Sequence, residues 1–139
     1  MAEFIMKDLV KRAGLQDRYE IASAATSWEE LGSPVYPPAR RELAARGISC
    51  AGKTARRMDK SDYARYDYLI GMEQINLRNM QRICGGDPDR KMSLLMSFAG
   101  SSEDIEDPWY SGRFSRVSAQ IETGCRALME HIERQRRGR

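Results

Sequence analysis

Two cysteine and arginine pairs stand at the spacing C-x5-R, Cys50 with Arg56 and Cys84 with Arg90. In a loop of that length a thiolate can lie beneath a phosphorus atom while the guanidinium binds the phosphate oxygens. The second pair is a poor phosphate loop, because Pro88 removes an amide donor and the neighbouring aspartates repel a dianion. We expect a helix end and turn there, and keep Cys50 and Arg56 as a candidate catalytic pair.

The run Asp107-Pro108-Trp109-Tyr110 sets an acid beside two aromatic rings in a loop. An aspartic acid in such a loop can protonate the leaving oxygen of an aryl phosphate. Flanking rings can form a slot that stacks on the phenyl group. The run therefore indicates acid catalysis on an aromatic substrate.

Residues 47–54, GISCAGKT, fit the nucleotide-binding pattern G-x-x-x-x-G-K-[ST]. That chemistry needs a buried strand before the loop and a helix beginning at the lysine, so that amides surround the phosphates. A predicted helix precedes Gly47, which is better used as the cap of that helix. Nucleotide binding at 47–54 is therefore the less favoured alternative.

The chain has three cysteines, no C-x-x-C pair and a single histidine, His131. These residues predict reduced thiols and neither a histidine-based metal site nor a bound cofactor. No apolar run approaches the roughly 18 residues that cross a bilayer, and the N-terminus does not resemble a secretory signal. We expect a cytoplasmic protein that does not enter a membrane.

The net charge of +3 comes from the last six residues, which hold four arginines; the remainder carries −1. We expect one domain over residues 1–133, followed by a basic disordered tail over 134–139. Because the basicity is confined to this tail, we predict no nucleic-acid partner.

Apolar periodicity predicts helices alternating with strands along the chain. The helices are expected over residues 2–13, 39–45, 60–65, 75–84 and 114–135, and the strands over 19–25, 66–72 and 91–98. Such alternation is typical of an α/β fold with a parallel sheet. These folds normally open on a strand, whereas this chain opens on a helix.

Several groups of residues, in order and spacing, resemble the low-molecular-weight protein tyrosine phosphatase family. They are Ser23 to Ser27, Gly32-Ser33-Pro34, Ala55-Arg56, Tyr66 to Ile70, Asn76-Leu77-Arg78 and Asp107 to Tyr110. The resemblance runs from Met1 to about Leu128. It implies a flavodoxin-like parallel sheet flanked by helices, and hydrolysis of a phosphotyrosine protein or aryl phosphate through a phosphocysteine, without a metal or cofactor.

The resemblance also implies roles for individual residues. Asp107 would be the general acid, which protonates the tyrosine leaving group and then activates water. Trp109 and Tyr110 would line the ring slot, with Trp28 and Glu29 in the opposite wall. Ser23 would support the shape of the phosphate loop.

The family's first, central strand and its Cys-and-Arg phosphate loop have no counterpart here, because the family pattern is met only from the Met-Ala-Glu that follows that loop. None of the three cysteines aligns with the family nucleophile. The resemblance therefore predicts an inactive chain, with a sheet that lacks its first strand and is rearranged or strand-exchanged, and a homo-oligomer that covers the gap. Two alternatives remain open: a non-catalytic relic that binds itself or a partner, and a rearranged phosphatase that uses Cys50 and Arg56.

Overall fold

The computed structural model describes residues 1–26, 37–50, 56–106 and 112–138. The helices in these ranges are α1 (Ala2–Arg12), α2 (Pro37–Ala45), α3 (Ser61–Arg65), α4 (Gln74–Cys84) and α5 (Phe114–Arg137). Two strands are present in them, β1 (Leu69–Gly71) and β2 (Met92–Leu94). Short 3-10 helices cover Gln16–Arg18 and Leu95–Ala99.

The two strands form a parallel pair in which Leu69 lies opposite Met92 and Gly71 opposite Leu94. Helix α4 connects them, which gives a β-α-β unit. Where β1 meets α4 the backbones are close, since a Cβ on Gly71 would lie 3.0 Å from the Cβ of Asn76. The predicted α/β fold with a parallel sheet is confirmed.

The main core lies between α1, α5 and the Leu95–Ala99 helix. Its buried side chains include Ile5, Met6, Leu9, Val10, Leu43, Leu95, Ile105, Val117, Ile121, Cys125 and Leu128. At its centre α5 lies against Leu95 so closely that a Cβ on Gly124 would be 2.6 Å from Leu95 Cγ. A glycine at this position therefore sets the separation between α5 and the layer beneath it.

The helices lie close to where periodicity predicts them, because local capping signals agree with the apolar pattern. At the start of α4, Glu73 and Asn76 form a reciprocal capping box. At its end, Gly85 has φ +77°, a left-handed conformation that glycine adopts without steric cost. These signals are local, so they can be recognised in one segment alone.

The strand predicted over residues 19–25 is wrong. Only Ala25 pairs, in an isolated parallel bridge with Arg57. The backbone of residues 20–24 makes no hydrogen bond within the described ranges. The apolar pattern there predicts extended chain, but a strand also needs a partner that supplies its hydrogen bonds.

Strand β1 also has an unpaired side. The N–H of Leu69 donates to the carbonyl of Lys91 at 2.9 Å, so the N–H and C=O of Ile70 point away from β2. Neither group of Ile70 makes a hydrogen bond in the part of the chain that the structure describes. Ile21 and Ile70 pack against the same main core. Residues 20–24 together with Ile70 are called the open edge below.

The other two predicted strands are shorter than expected. β1 covers three residues of 66–72, and β2 covers three residues of 91–98. The chain turns into a 3-10 helix at Leu95. The Leu95 side chain is fully buried in the core. The Ser97 hydroxyl donates to the Leu94 carbonyl at 2.6 Å and holds the turn.

Helix α5 continues to Arg137, so residues 134–137 are helical where a disordered tail was predicted. Arg134 pairs with Glu130 at 3.2 Å, and the Arg136 guanidinium donates to the carbonyl of Arg18 at 2.8 Å. These bonds extend the helix past residue 133, the predicted domain boundary. No helix in the described ranges combines the length and apolar character that a bilayer crossing demands.

Candidate active site

The residues predicted to touch the substrate lie outside the described ranges. They are the acid Asp107, the ring-slot residues Trp109 and Tyr110, and the opposite wall, Trp28 and Glu29. The segments that lead into both loops are described. Their contacts define where each loop begins on the fold.

The segment that precedes Asp107 is bound to the end of β1 and the start of α4. The N–H of Ile105 donates to the carbonyl of Met72 at 2.9 Å, and the Ile105 side chain is only 1% exposed. The carboxylate of Asp104 accepts from the N–H of Gln74 at 3.1 Å. An acidic group is favoured at this position, because the N-terminus of α4 carries a partial positive charge.

An ion pair joins the two ends of the acid-bearing loop. Arg113 Nη2 lies 2.8 Å from Glu106 Oε2, and Arg113 directly precedes α5 as its N-terminal cap. The other carboxylate oxygen, Glu106 Oε1, is buried and has no hydrogen-bond partner among the described residues. Residues 107–111 therefore lie in sequence between a segment bound to the end of β1 and the start of α5.

The segment that leads into Trp28 and Glu29 also ends on α4. Asn79 Nδ2 donates to the Thr26 hydroxyl at 3.4 Å. Asn79 and Gln74 are five positions apart, which corresponds to about 7.5 Å along the helix axis. Both segments that lead into the predicted substrate walls are thus attached to the same helix, α4.

Asn76 orients the start of α4 between these two attachment points. Its side-chain oxygen accepts from the N–H groups of Met72 at 3.1 Å and Glu73 at 2.8 Å. Asn76 is part of the family-like run in the sequence, whereas Asp104 and Asn79 were not identified there. No spacing pattern marks them, because their partners are distant in sequence.

Ser23 lies against the first turn of α1. Its hydroxyl donates to Glu3 Oε1 at 2.6 Å, and the other oxygen of Glu3 pairs with Lys7 at 2.7 Å. The Glu3 side chain is buried, so both contacts compensate the removal of a charge from water. The support of a phosphate loop by Ser23 stays a prediction.

The Cys50 and Arg56 pair does not form an anion-binding arrangement in the described residues. Cys50 is buried in the main core. The Arg56 guanidinium binds the Asp62 carboxylate through two hydrogen bonds, of 3.2 and 3.1 Å. Asp62, which is buried, also accepts from the N–H of Asp59 at 3.0 Å. The arginine already has an internal carboxylate partner; residues 51–55 lie outside the described ranges.

The other two thiols are also inside the fold. Burial raises the pKa of the Cys125 thiol to about 12. Burial, followed by the nearby charge of Asp62, raises the pKa of the Cys84 thiol. A thiolate nucleophile needs the opposite shift, toward lower pKa.

Cys84 ends α4 and is followed by a turn, as predicted for residues 84–90. In that turn Asp87 accepts from the N–H groups of Lys91 at 2.8 Å and Met92 at 3.1 Å, and from the Tyr63 hydroxyl at 2.8 Å. Burial acts to raise the pKa of Asp87, but these hydrogen bonds outweigh it and hold the pKa below its usual range. Asp87 thus holds the chain as it enters β2.

The nucleotide-like motif follows a helix. Gly47 comes after α2 with φ +75°, and the N–H of Ile48 donates to the Leu43 carbonyl at 2.8 Å. Gly47 therefore ends a helix, whereas a phosphate-binding loop of that pattern follows a strand. Within the described ranges, no three histidine, cysteine or acidic residues form a group that could hold a metal ion.

A family model for low molecular weight phosphotyrosine protein phosphatases matches residues 1–138. The chain belongs to this family. The low molecular weight protein-tyrosine-phosphatase YfkJ of Bacillus subtilis is 30% identical over 138 residues, which are 98% of this chain and 88% of that protein. The human low molecular weight phosphotyrosine protein phosphatase is 31% identical over 139 residues, 94% of this chain and 85% of the human protein.

Solved structures of this phosphatase family have the same fold. The crystal structure of YfkJ superposes with a TM-score of 0.91 at 29% identity, over 96% of this chain and 86% of that chain. The structure of SP-PTP from Streptococcus pyogenes gives a TM-score of 0.82 at 27% identity, over 94% and 81% of the two chains. The predicted family is thereby confirmed.

Proposed function

We propose that this phosphatase-family chain carries the general acid and the ring-binding walls for a phosphotyrosine protein or aryl phosphate, but no nucleophile. Alone it would be inactive. The observation that carries the proposal is the position of the three cysteines, all of which are buried in the fold. Two of them have raised thiol pKa values, whereas phosphate transfer to cysteine needs an accessible thiolate.

The proposed chemistry assigns the remaining roles by family membership. Asp107 would protonate the phenol oxygen as its bond to phosphorus breaks, and would then take a proton from the water that releases phosphate from cysteine. Trp109 and Tyr110 would contact one side of the ring, and Trp28 and Glu29 the other. No metal or cofactor takes part in this scheme.

A strand from outside the described residues would complete the site. Support comes from the open edge, where the backbone groups of residues 20–24 and Ile70 have no hydrogen-bond partner among the described residues and Ile21 and Ile70 pack against one core. A parallel strand placed between them would satisfy these groups on both sides. It could bring a Cys-and-Arg loop to the end of the sheet where Met72 holds the segment before Asp107, and Ser23 would then support that loop.

Three further assignments stay predictions. A single domain, a cytoplasmic location and the absence of a nucleic-acid partner all come from the sequence. They agree with a small phosphatase that acts on protein or aryl substrates.

Hydrolysis of p-nitrophenyl phosphate by the purified 139-residue chain, without added metal, tests the proposed function. We expect no turnover above buffer for the parent chain or for Asp107→Asn. Because Cys50→Ser changes a buried group, Cys84→Ser is the matched control, and circular dichroism verifies that both variants fold. Turnover that Cys50→Ser abolishes and Cys84→Ser retains would contradict the proposal and place the nucleophile at Cys50.

A second candidate function is self-association through the open edge, as expected of a non-catalytic relic. The observation that favours it is that the backbone of residues 20–24 makes no hydrogen bond to any residue that the structure describes. Exposed strand edges of this kind pair with other chains. A second copy of this chain is the proposed occupant, and the product would be a homo-oligomer.

Sedimentation of two variants at one exposed position tests this candidate. Ala22→Pro removes the amide donor that a pairing strand needs, whereas Ala22→Val keeps it and favours extended chain. We expect the proline variant to be monomeric and the valine variant to associate at least as well as the parent. A monomeric parent, or association that Ala22→Pro does not weaken, would exclude pairing through this edge.

A further inference from the structure

We propose that Glu106 and Arg113 are a positioning pair, whose ion pair fixes the segment that bears the general acid. The importance of that segment rests on the proposed function. The pair itself stands on the described contacts. Glu106 directly precedes Asp107, and Arg113 follows Asp107 by six positions.

The two residues belong to different rigid parts of the fold. Glu106 follows Ile105, which is buried in the main core and bound through its N–H to the carbonyl of Met72. Arg113 accepts at its carbonyl from the N–H of Val117, in the first turn of α5. The ion pair therefore connects the segment that is bound to the end of β1 with the start of α5. This side-chain connection is additional to the backbone that joins them.

The Glu106 side of the ion pair is partly buried. The nitrogen and oxygen are 2.8 Å apart, and the Arg113 and Glu106 side chains are 55% and 34% exposed. The second carboxylate oxygen of Glu106 is buried against the protein. Loss of Arg113 would leave a partly buried carboxylate without this cation, which is unfavourable. We therefore expect the Glu106 side chain to keep the orientation that contacts Arg113.

The orientation of Glu106 bears on its neighbour. Asp107 is the next residue, so its Cα lies about 3.8 Å from that of Glu106. When the Glu106 side chain is held by Arg113, the backbone that leads into Asp107 has less freedom. This is a positioning role, because neither Glu106 nor Arg113 needs to touch the substrate.

The fluorescence of Trp109 provides a test that does not depend on turnover. The chain has two tryptophans, so Trp28→Phe leaves Trp109 as the only reporter. In that background, acrylamide quenching is measured for Glu106→Gln and Arg113→Gln. An exposed ion pair shifts a local equilibrium by up to about fivefold, so we expect quenching to rise about two- to fivefold in both variants.

Three controls separate pairing from a general loss of structure. Glu130→Gln removes the ion pair with Arg134 on the same helix and should leave quenching unchanged. Arg113→Lys retains the charge and should restore most of the parent value. The exchange of Glu106→Arg with Arg113→Glu should also restore it, at an unchanged melting temperature.

Unchanged quenching in Glu106→Gln, or no recovery in the exchanged pair, would overturn the positioning role. Turnover by the parent chain would overturn the proposed function and leave the quenching result intact. The two failures are therefore distinguishable. If the chain proves active, kcat should fall in Glu106→Gln and recover in the exchanged pair.

Discussion

Two regions of this chain differ in how they are held in the fold. One is the contact between α5 and Leu95, and the other is the open edge at residues 20–24. At the first, side chains are buried and interdigitate so closely that Gly124 has no room for a Cβ. At the second, the chain is extended and packs against the core through Ile21. Its backbone groups nevertheless have no hydrogen-bond partners within the described ranges. Packing and backbone pairing are thus separable within one fold.

The difference has a physical origin. A helix satisfies its own backbone, so an apolar stripe is enough to attach it to a core. A strand depends on a second segment for every hydrogen bond. Within the described ranges, the helices can therefore be well packed while the sheet has two short strands.

Amide hydrogen exchange tests this contrast directly and has the largest expected effect. The amides of Ile121, Cys125 and Leu128 should exchange at least about 10⁴-fold more slowly than those of residues 21–24, because a buried helix opens only through near-global unfolding. Mass spectrometry of labelled peptides measures both rates. Protection of residues 21–24 at every protein concentration would contradict the open edge; protection that grows with concentration would instead indicate pairing between copies.

A branched side chain at Gly124 would disrupt the close packing of α5 against Leu95. The Cβ of Gly124→Val meets Leu95 Cγ near 2.6 Å, so α5 must shift or Leu95 must leave its rotamer. We expect the free energy of unfolding to fall by about 2 kcal/mol, measured by urea denaturation. The exposed neighbour Thr123→Val is the control and should change it by less than about 0.5 kcal/mol; equal effects would contradict the close contact.

Asp87 tests the sheet half, with a smaller and pH-dependent effect. Asp87→Asn should lower the free energy of unfolding at pH 7 by about 1 kcal/mol, because the carboxylate accepts three hydrogen bonds around the entry to β2. The folded pKa lies below the unfolded one. The stabilisation is therefore present above the unfolded pKa of about 4 and is lost as the pH falls through the folded pKa.

Urea denaturation at pH 7 and in steps toward pH 2 should show the parent and Asp87→Asn converging in acid. Asp89→Asn, two residues along the same turn, is the matched control. Its side chain should matter less, since only its backbone N–H bonds to Tyr63. A constant difference between parent and Asp87→Asn across the pH range would show that ionisation of Asp87 is not involved.

The sequence predicts those parts of the fold whose signals are local. The apolar spacing of Ile5, Leu9 and Val10 predicts α1, and Gly85 marks the end of α4. The family itself is predictable, because several short runs, such as Asp107 to Tyr110, match the family pattern in order and spacing. Each of these signals is contained in one short segment.

The structural features that could not be predicted depend on contacts with residues in other segments of the sequence. Residues 19–25 have the composition of a strand, but pairing is decided by a segment elsewhere. Leu95 continues an apolar run, and its turn away from β2 is set by the space that Gly124 leaves 29 positions later. The Glu106–Arg113 ion pair and the Asn79–Thr26 bond likewise leave no spacing pattern by which to recognise them.

The attachment of both loop bases to α4 has a mechanical consequence. Thr26 is bonded to Asn79 and Asp104 to Gln74, so a rigid-body displacement of the helix carries both bases in the same direction. The separation between Thr26 and Asp104 is then insensitive to a rigid-body motion of α4.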